Sequence, residues 1–179
     1  MGCDLLTGRS RACKSNMAGI RAIYLANFGT LGDVTYSITD EDVIETLAGS
    51  PEFFKYELKG NTNSLEQTPN VNPDNGTAYM TQVLTVTLPK LTKSMHKEFK
   101  LILWGSPHII AEDMNGQFFL MGLENGCDVT GGNLGTGAAK GDLAGYNLVL
   151  TAEERIPANF LADTIESTTA TVSAVMETP

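Results

Sequence analysis

Two stretches of alternation, Glu52–Asn63 and Ala78–Leu88, constrain this chain more than any other feature. Phe54, Tyr56 and Leu58 fall on one side of an extended strand, with Lys55, Glu57 and Lys59 on the other. Met80, Leu84, Val86 and Leu88 alternate in the same way with Tyr79, Thr81, Thr85 and Thr87. Both stretches are read as half-buried strands. Thr81–Thr87 is rich in β-branched residues, which suit a pleated surface and lose side-chain freedom in a helix. Pro89 ends the second strand because it has no N–H to give to a ladder.

Between them, Ser64–Thr77 carries Pro69, Pro73 and the turn-forming Asp74-Asn75-Gly76, with little that is apolar beyond Leu65 and Val71. It reads as a connection of about 14 residues, against the roughly 2–5 of an ordinary hairpin loop. Loops of that length are functional or unstructured, which leaves a mobile surface loop or a segment that partner subunits order. Residues 52–88 together are read as a hairpin arm, too long for its own core and built to meet neighbouring subunits.

The chain has 179 residues, 42% of them hydrophobic and 18% charged. That suffices for one domain burying about 70% of the surface its unfolded chain exposes. The expected organisation is an N-terminal arm over 1–18, a β domain over 19–162 and a C-terminal tail over 163–179. The 18 glycines, with abundant Thr and Asn, favour strands and turns.

A formal net charge of −9 argues against a surface that grips nucleic acid, since duplex affinity depends on Lys and Arg neutralising phosphates. It is compatible with a surface past which DNA slides, and equally with ordinary acidic solubility. No run of 18 apolar residues offers a membrane span. Met1–Met17 has basic residues but no apolar core of a secretory signal, so synthesis in the cytoplasm is expected. Cys3, Cys13 and Cys127 cannot all pair within one chain; Cys3 and Cys13 stay open between a disulfide and free thiols.

The first secure strand is Gly19–Phe28, where Ile20, Ala22, Tyr24 and Ala26 alternate with Arg21, Ile23, Leu25 and Asn27; apolar groups on both faces predict a covered strand. Val34–Ile38 is a short one. Val43–Leu47 fits either a helix begun by a capping box at Thr39–Asp42 or a short strand, with the strand slightly favoured. The convincing helix is 92–104: Thr92 is its N-cap, Met95, Phe99, Ile102 and Leu103 form one apolar stripe, and Lys93, Lys97 and Lys100 lie outside. Gly105 and Pro107 stop it. His108–Asp113, Asn115-Gly116 and Gln117–Leu123 predict a tight hairpin. Strands follow from Cys127 towards Gly131 and from Tyr146 to Thr151, flanking a glycine-rich stretch. In the tail, Thr171–Val175 forms a strand only where an edge is offered to it.

No catalytic, cofactor or metal residue is assigned. From Gly132 a P-loop pattern would put its lysine where Ala138 stands, and Gly135-Thr136-Gly137 meets Lys140 where a dinucleotide fingerprint needs its third glycine. Asp113-Met114-Asn115-Gly116 has its glycine two places early for a calcium loop. His96, on the helix's polar side, and His108, at a strand start, are too far apart for a zinc set and lack a nucleophile partner. Glu112 and Asp113, or Glu153 and Glu154, adjoin and so point apart on a strand. Trp104 and a few tyrosines are the candidate sugar-stacking faces, though packing is the expected job of Trp104.

Tyr56-Glu57-Leu58-Lys59-Gly60-Asn61, the loop ending in Asp74-Asn75-Gly76-Thr77, Leu84-Thr85-Val86-Thr87-Leu88-Pro89, Met121-Gly122-Leu123-Glu124-Asn125-Gly126 and Gly141-Asp142-Leu143-Ala144-Gly145-Tyr146 carry a resemblance. In pattern and order, Phe54–Phe160 resembles tail-tube and related tail or neck ring proteins of tailed bacteriophages, including the crAss-like phages of gut bacteria. The N-terminal arm with its two cysteines departs from that pattern.

The resemblance implies a mainly β fold with one α-helix: a tail-tube-like β-sandwich or incomplete barrel with a long hairpin arm and one packed helix. It implies a non-enzymatic virion protein, assembled in the host cytoplasm, that forms a six-fold homo-oligomeric ring and contacts other tail or neck proteins. Genomic DNA would pass through without specific binding, and no membrane is involved. Tyr56, Leu58, Leu65, Asn75, Gly76, Tyr79 and Val86 would then form the inter-subunit or inter-ring hairpin. Lys55, Glu57, Lys59, Thr81, Thr85 and Thr87 would face the lumen. Alternatives are a head-decoration or ejected cargo protein, and a carbohydrate-binding β-sandwich for host attachment.

Overall fold

Inward side chains on one long strand organise the fold. A computed structural model describes residues 8–9, 14–49, 51–59, 61–162, 165 and 171–173. Its elements are β1 (Ile20–Ala26), β2 (Val34–Tyr36), β3 (Val43–Leu47), β4 (Glu52–Glu57), β5 (Ser64–Asn72), β6 (Thr77–Pro89), α1 (Lys93–Trp104), β7 (His108–Asp113), β8 (Phe118–Met121), β9 (Asp128–Gly135), β10 (Gly145–Glu154), β11 (Asn159–Leu161) and β12 (Thr171–Ser173). One sheet has eight strands in the order β12-β4-β1-β7-β8-β11-β3-β2; the other has four, β5-β6-β10-β9. Among the described residues the protein is mainly β, with α1 its one complete helix.

Leu84, Val86 and Leu88 of β6 and Tyr146, Leu148, Leu150 and Ala152 of β10 face inward. They meet Ile23 and Leu25 of β1 and Ile109 and Ala111 of β7 across the gap between the sheets. Each large side chain so buried contributes about 1.5–3 kcal/mol before entropy is counted. The other face of the eight-stranded sheet has a second core, where Ala22, Tyr24 and Ala26 pack with Ile44 of β3, Phe53 of β4, Ile110 and Leu120. Because β3 and β4 stand near opposite ends of the strand order yet share this cluster, the sheet curls around it.

The helix forms as its pattern predicts. Thr92 is the N-cap and its Oγ1 accepts from the Met95 N–H at 3.2 Å. Met95, Phe99 and Ile102 pack on the inter-sheet core. Leu103 does not complete that stripe: it lies on the helix flank and is exposed. Trp104, expected to pack, is 80% exposed. Val43–Leu47 is a strand, antiparallel to β2 and parallel to β11. The hairpin at Asn115-Gly116 is present as β7–β8, with Asp113 Oδ1 accepting from the N–H groups of Asn115 and Gln117, both at 2.8 Å.

The strands at 52–57 and 77–89 do not form the expected hairpin. β4 pairs with β1 and β12 in the large sheet. The hairpin partner of β6 is β5, which occupies most of the stretch read as a loop. A tight turn closes it, Asn72 Oδ1 accepting from the N–H groups of Asp74 at 3.0 Å and Asn75 at 3.3 Å. β5 escapes detection because it is an edge strand that is largely solvated, so its residues need not alternate and Pro69 is tolerated there.

The strand expected over Cys127–Gly131 runs instead over Asp128–Gly135, through the first glycines of the cluster. Gly132 has φ 130°, and a Cβ there would sit 2.2 Å from the Asn147 carbonyl oxygen. Only glycine lets β9 and β10 approach this closely. In the tail, Thr171–Ser173 adds to the β4 edge in parallel. Cys3 and Cys13 lie outside the described residues.

Candidate assembly surface and channel face

Residues opposite one another across an antiparallel pair share a face, so the register defines the outer face of the four-stranded sheet. Ser64 lies opposite Thr85, Glu66 opposite Val83, Thr68 opposite Thr81 and Asn70 opposite Tyr79. On the other side of β6, Asn147 lies opposite Thr87, Val149 opposite Thr85 and Glu153 opposite Thr81. The result is a row of hydroxyl, amide and carboxylate groups broken by Val83 and Val149. Asn70 Nδ2 donates to Thr81 Oγ1 at 2.8 Å, and the hydroxyls of Thr130 and Thr151 lie 2.7 Å apart. These cross-strand bonds fix the polar side chains as part of the surface.

The four strands β5, β6, β9 and β10 contain no lysine, arginine or histidine, while Glu66, Asp128, Glu153 and Glu154 lie within them. This is chemistry that phosphate does not adhere to. Thr81, Thr85 and Thr87, expected to face a lumen, are on this surface. Lys55 and Glu57 are not: they belong to β4 in the other sheet, where they form an ion pair at 3.4 Å, and Lys59 follows that strand. Phe53, on the same strand face as Lys55, is fully buried in the second core. The expected lumen set is therefore split between two sheets.

The expected contact residues divide in the same way. Val86 and Leu58 are buried in the inter-sheet core and so are not free to receive a partner, while Tyr56 and Leu65 are half-buried against it. Burial pushes the Tyr56 hydroxyl up to about 12, helped by the nearby Glu98 carboxylate. Asn75, Gly76 and Tyr79 do stand at the exposed end of the β5–β6 hairpin, together with Val71 at 68% exposure.

One internal polar cluster holds the loop between β8 and β9 against this sheet. Gln82 interrupts the apolar row of β6 and is buried, its Oε1 accepting from the Gly122 N–H at 3.2 Å and its Nε2 donating to the Ile156 carbonyl at 3.3 Å. Glu154 Oε1 accepts from the N–H groups of Glu124 at 3.0 Å and Asn125 at 2.9 Å. Burial raises the Glu154 pKa, and those two N–H groups oppose the shift. Cys127 beside them is fully buried; burial raises its thiol pKa strongly and the carboxylates of Glu154 and Asp128 add to this, which leaves it an inert apolar group. Sequence reading passed over Gln82 and placed Glu154 only as a carboxylate pointing away from Glu153; their position in an otherwise apolar row was the available signal.

A cavity of about 630 Å³ lies elsewhere, between the chain before β1 and the start of β5. Asn16, Asn61, Asn63, Gln67, Asn115 and Phe119 are among its lining residues. Among the described residues, no helix is long and apolar enough to cross a membrane. No family model matches the chain, and no curated protein or solved structure matches it either.

Proposed function

We propose that this chain is a structural subunit of a ring in the tail or neck of a tailed bacteriophage, with the outer face of its four-stranded sheet turned towards a DNA-conducting channel. The observation that carries the reading is that face: threonine, serine and asparagine in register, acidic residues among them, and no basic residue on any of its strands. Such a face offers DNA no counter-charge, so a genome slides past it. The exposed end of the β5–β6 hairpin extends the same sheet and is the part of it free to reach a neighbour.

Negative-stain microscopy and light scattering of the purified chain, with antibody labelling of phage particles, test this. The expected result is rings with an axial channel and label at the tail or neck. Label confined to the head surface would favour a decoration role, and absence of the protein from particles would overturn the reading.

A second reading, a glycan-binding module for host attachment, is favoured by the cavity near Asn63, whose lining includes Asn16, Asn61, Asn63, Gln67, Asn115 and Phe119. A glycan screen that returns a specific ligand, lost on Asn61→Ala, would prefer it to assembly.

A further inference from the structure

Two exposed surface features carry opposite charge. On α1, Lys93, Lys97, Lys100 and Trp104 recur at helical spacing on the side away from Met95, Phe99 and Ile102. Beside this stripe a groove of about 370 Å³ runs between α1 and the ends of β1 and β4, lined by Phe28, Phe54, Tyr56, Leu101 and Ile102. Phe28 is 56% exposed and Leu101 55%. Glu98, which also lines the groove, is the one acidic residue of the helix.

The second feature is the β2–β3 hairpin. No lysine or arginine occurs between Arg21 and Lys55, while Asp33, Asp40, Glu41, Asp42 and Glu45 all lie on or beside this hairpin and are exposed. Its tip is ordered by its own bonds: Ser37 N–H donates to the Val43 carbonyl at 2.8 Å, and Asp42 N–H to Asp40 Oδ1 at 3.1 Å. That framework holds Ile38 out at 100% exposure. Ile38 thus stands fully in solvent on a fixed turn, with Asp40, Glu41 and Asp42 following it in the chain.

Among the described residues, none of Lys93, Lys97, Lys100, Glu41, Asp42 and Glu45 belongs to an ion pair. β2 and β3 end the large sheet on one side, and β4, which floors the groove, stands near its other end.

We propose that the acidic β2–β3 tip of one copy docks on α1 of a second copy, Ile38 entering the apolar groove while Glu41, Asp42 and Glu45 face Lys93, Lys97 and Lys100. The contact rests on the ring reading and names one interface within it. Because it joins two different surfaces, it propagates head to tail, and it closes into a ring or runs on as a filament according to the rotation per step. Charge complementarity sets the orientation, and the apolar groove with Trp104 beside it supplies the burial.

The test uses the full chain and its single tryptophan, Trp104. Sedimentation velocity and Trp104 emission are followed against concentration and salt. For the wild type, association with a blue shift is expected, both reversed at high salt. Lys93→Glu/Lys97→Glu/Lys100→Glu and Glu41→Lys/Asp42→Lys/Glu45→Lys, which spares the turn-holding Asp40, should each remain monomeric with native circular dichroism. Mixed in equal amounts they should associate again in alternation, since each then meets only opposite charge. Ile38→Ser should weaken association roughly tenfold or more.

Charge variants that assemble as well as the wild type, or a mixture that does not associate, would overturn this contact and leave the ring reading standing. A wild type whose sedimentation and emission ignore concentration would overturn it also, the ring reading then being judged on particles. Wild-type filaments that depend on these charges but never form rings would keep the contact and sink the ring.

Discussion

The imidazole of His108 is held between two backbone groups: its Nδ1–H donates to the Gly122 carbonyl at 2.6 Å, and its Nε2 accepts from the Gly29 N–H at 3.0 Å. A carbonyl can only accept and an N–H can only donate, so the pair of bonds fixes one neutral tautomer. The ring is buried and stacked on Phe28 at 5.1 Å between centroids. His108 thus ties the chain after β1 to the loop after β8.

His108→Ala strands both backbone groups and leaves a cavity, so a loss of about 2–5 kcal/mol is expected in urea denaturation. His108→Gln retains one donor and one acceptor and should recover part of it. Equal losses for the two variants would show that packing, not the bonds, carries the residue.

Glu154 gives a pH dependence whose sign is set by its raised pKa. A carboxyl raised in the fold contributes its stability fully below the ordinary carboxylate range and loses it as pH rises through the folded value. Glu154→Gln keeps an Oε1 acceptor for Glu124 and Asn125 and cannot ionise. Its stability relative to the wild type should therefore increase from about pH 4 to about pH 8, read from urea melts across that range. A difference that stays flat or runs the other way would contradict the assignment.

Two glycines with positive φ separate strain from crowding. At Gly116, φ is 78° and a Cβ would meet nothing within 4 Å, so Gly116→Ala should cost about 1–2 kcal/mol for the left-handed backbone alone. At Gly122, φ is 68° and a Cβ would stand 2.6 Å from Cys127 Sγ and 2.7 Å from the Gly126 carbonyl carbon. Gly122→Ala should cost distinctly more, in thermal or chemical melts, because the loop must move as well.

Converting the candidate channel face to a basic one tests its chemistry. Thr85→Lys with Thr87→Lys changes outward side chains of β6 and should alter stability by less than about 1 kcal/mol. The wild type should not retain duplex DNA in filter binding, whereas the variant should, with affinity falling as salt rises, by a slope of about −0.9 per phosphate neutralised. Unchanged retention would remove this face from the channel.

The helix was legible because everything that makes it is local: the Thr92 cap, the Met95–Phe99–Ile102 stripe and the Gly105 stop lie within a few turns of one another. The β7–β8 hairpin was legible for the same reason, Asp113 and Asn115-Gly116 supplying the turn by themselves. The partner of β6 was not. Strand patterning says that Leu84, Val86 and Leu88 are buried, yet it does not say which edge hydrogen-bonds to them, and β5 hides that role behind a polar, proline-containing sequence. The candidate face was half legible, in Thr81, Thr85 and Thr87; Lys55 and Glu57 belong to the other sheet and Lys59 lies beyond its strand.

The sequence by itself therefore determined which residues alternate, where the helix begins and ends, and that the chain is acidic with four of its eight lysines between residues 90 and 100. Those properties depend on neighbours within a few residues. Only the tertiary structure decided that β4 and β6 separate into different sheets, that β5 and β6 form the hairpin, that Trp104 stands outward and that Ile38 is fully exposed. Pairing is set by backbone hydrogen bonds and shared burial between segments distant in the chain, and no local period records which distant segment wins.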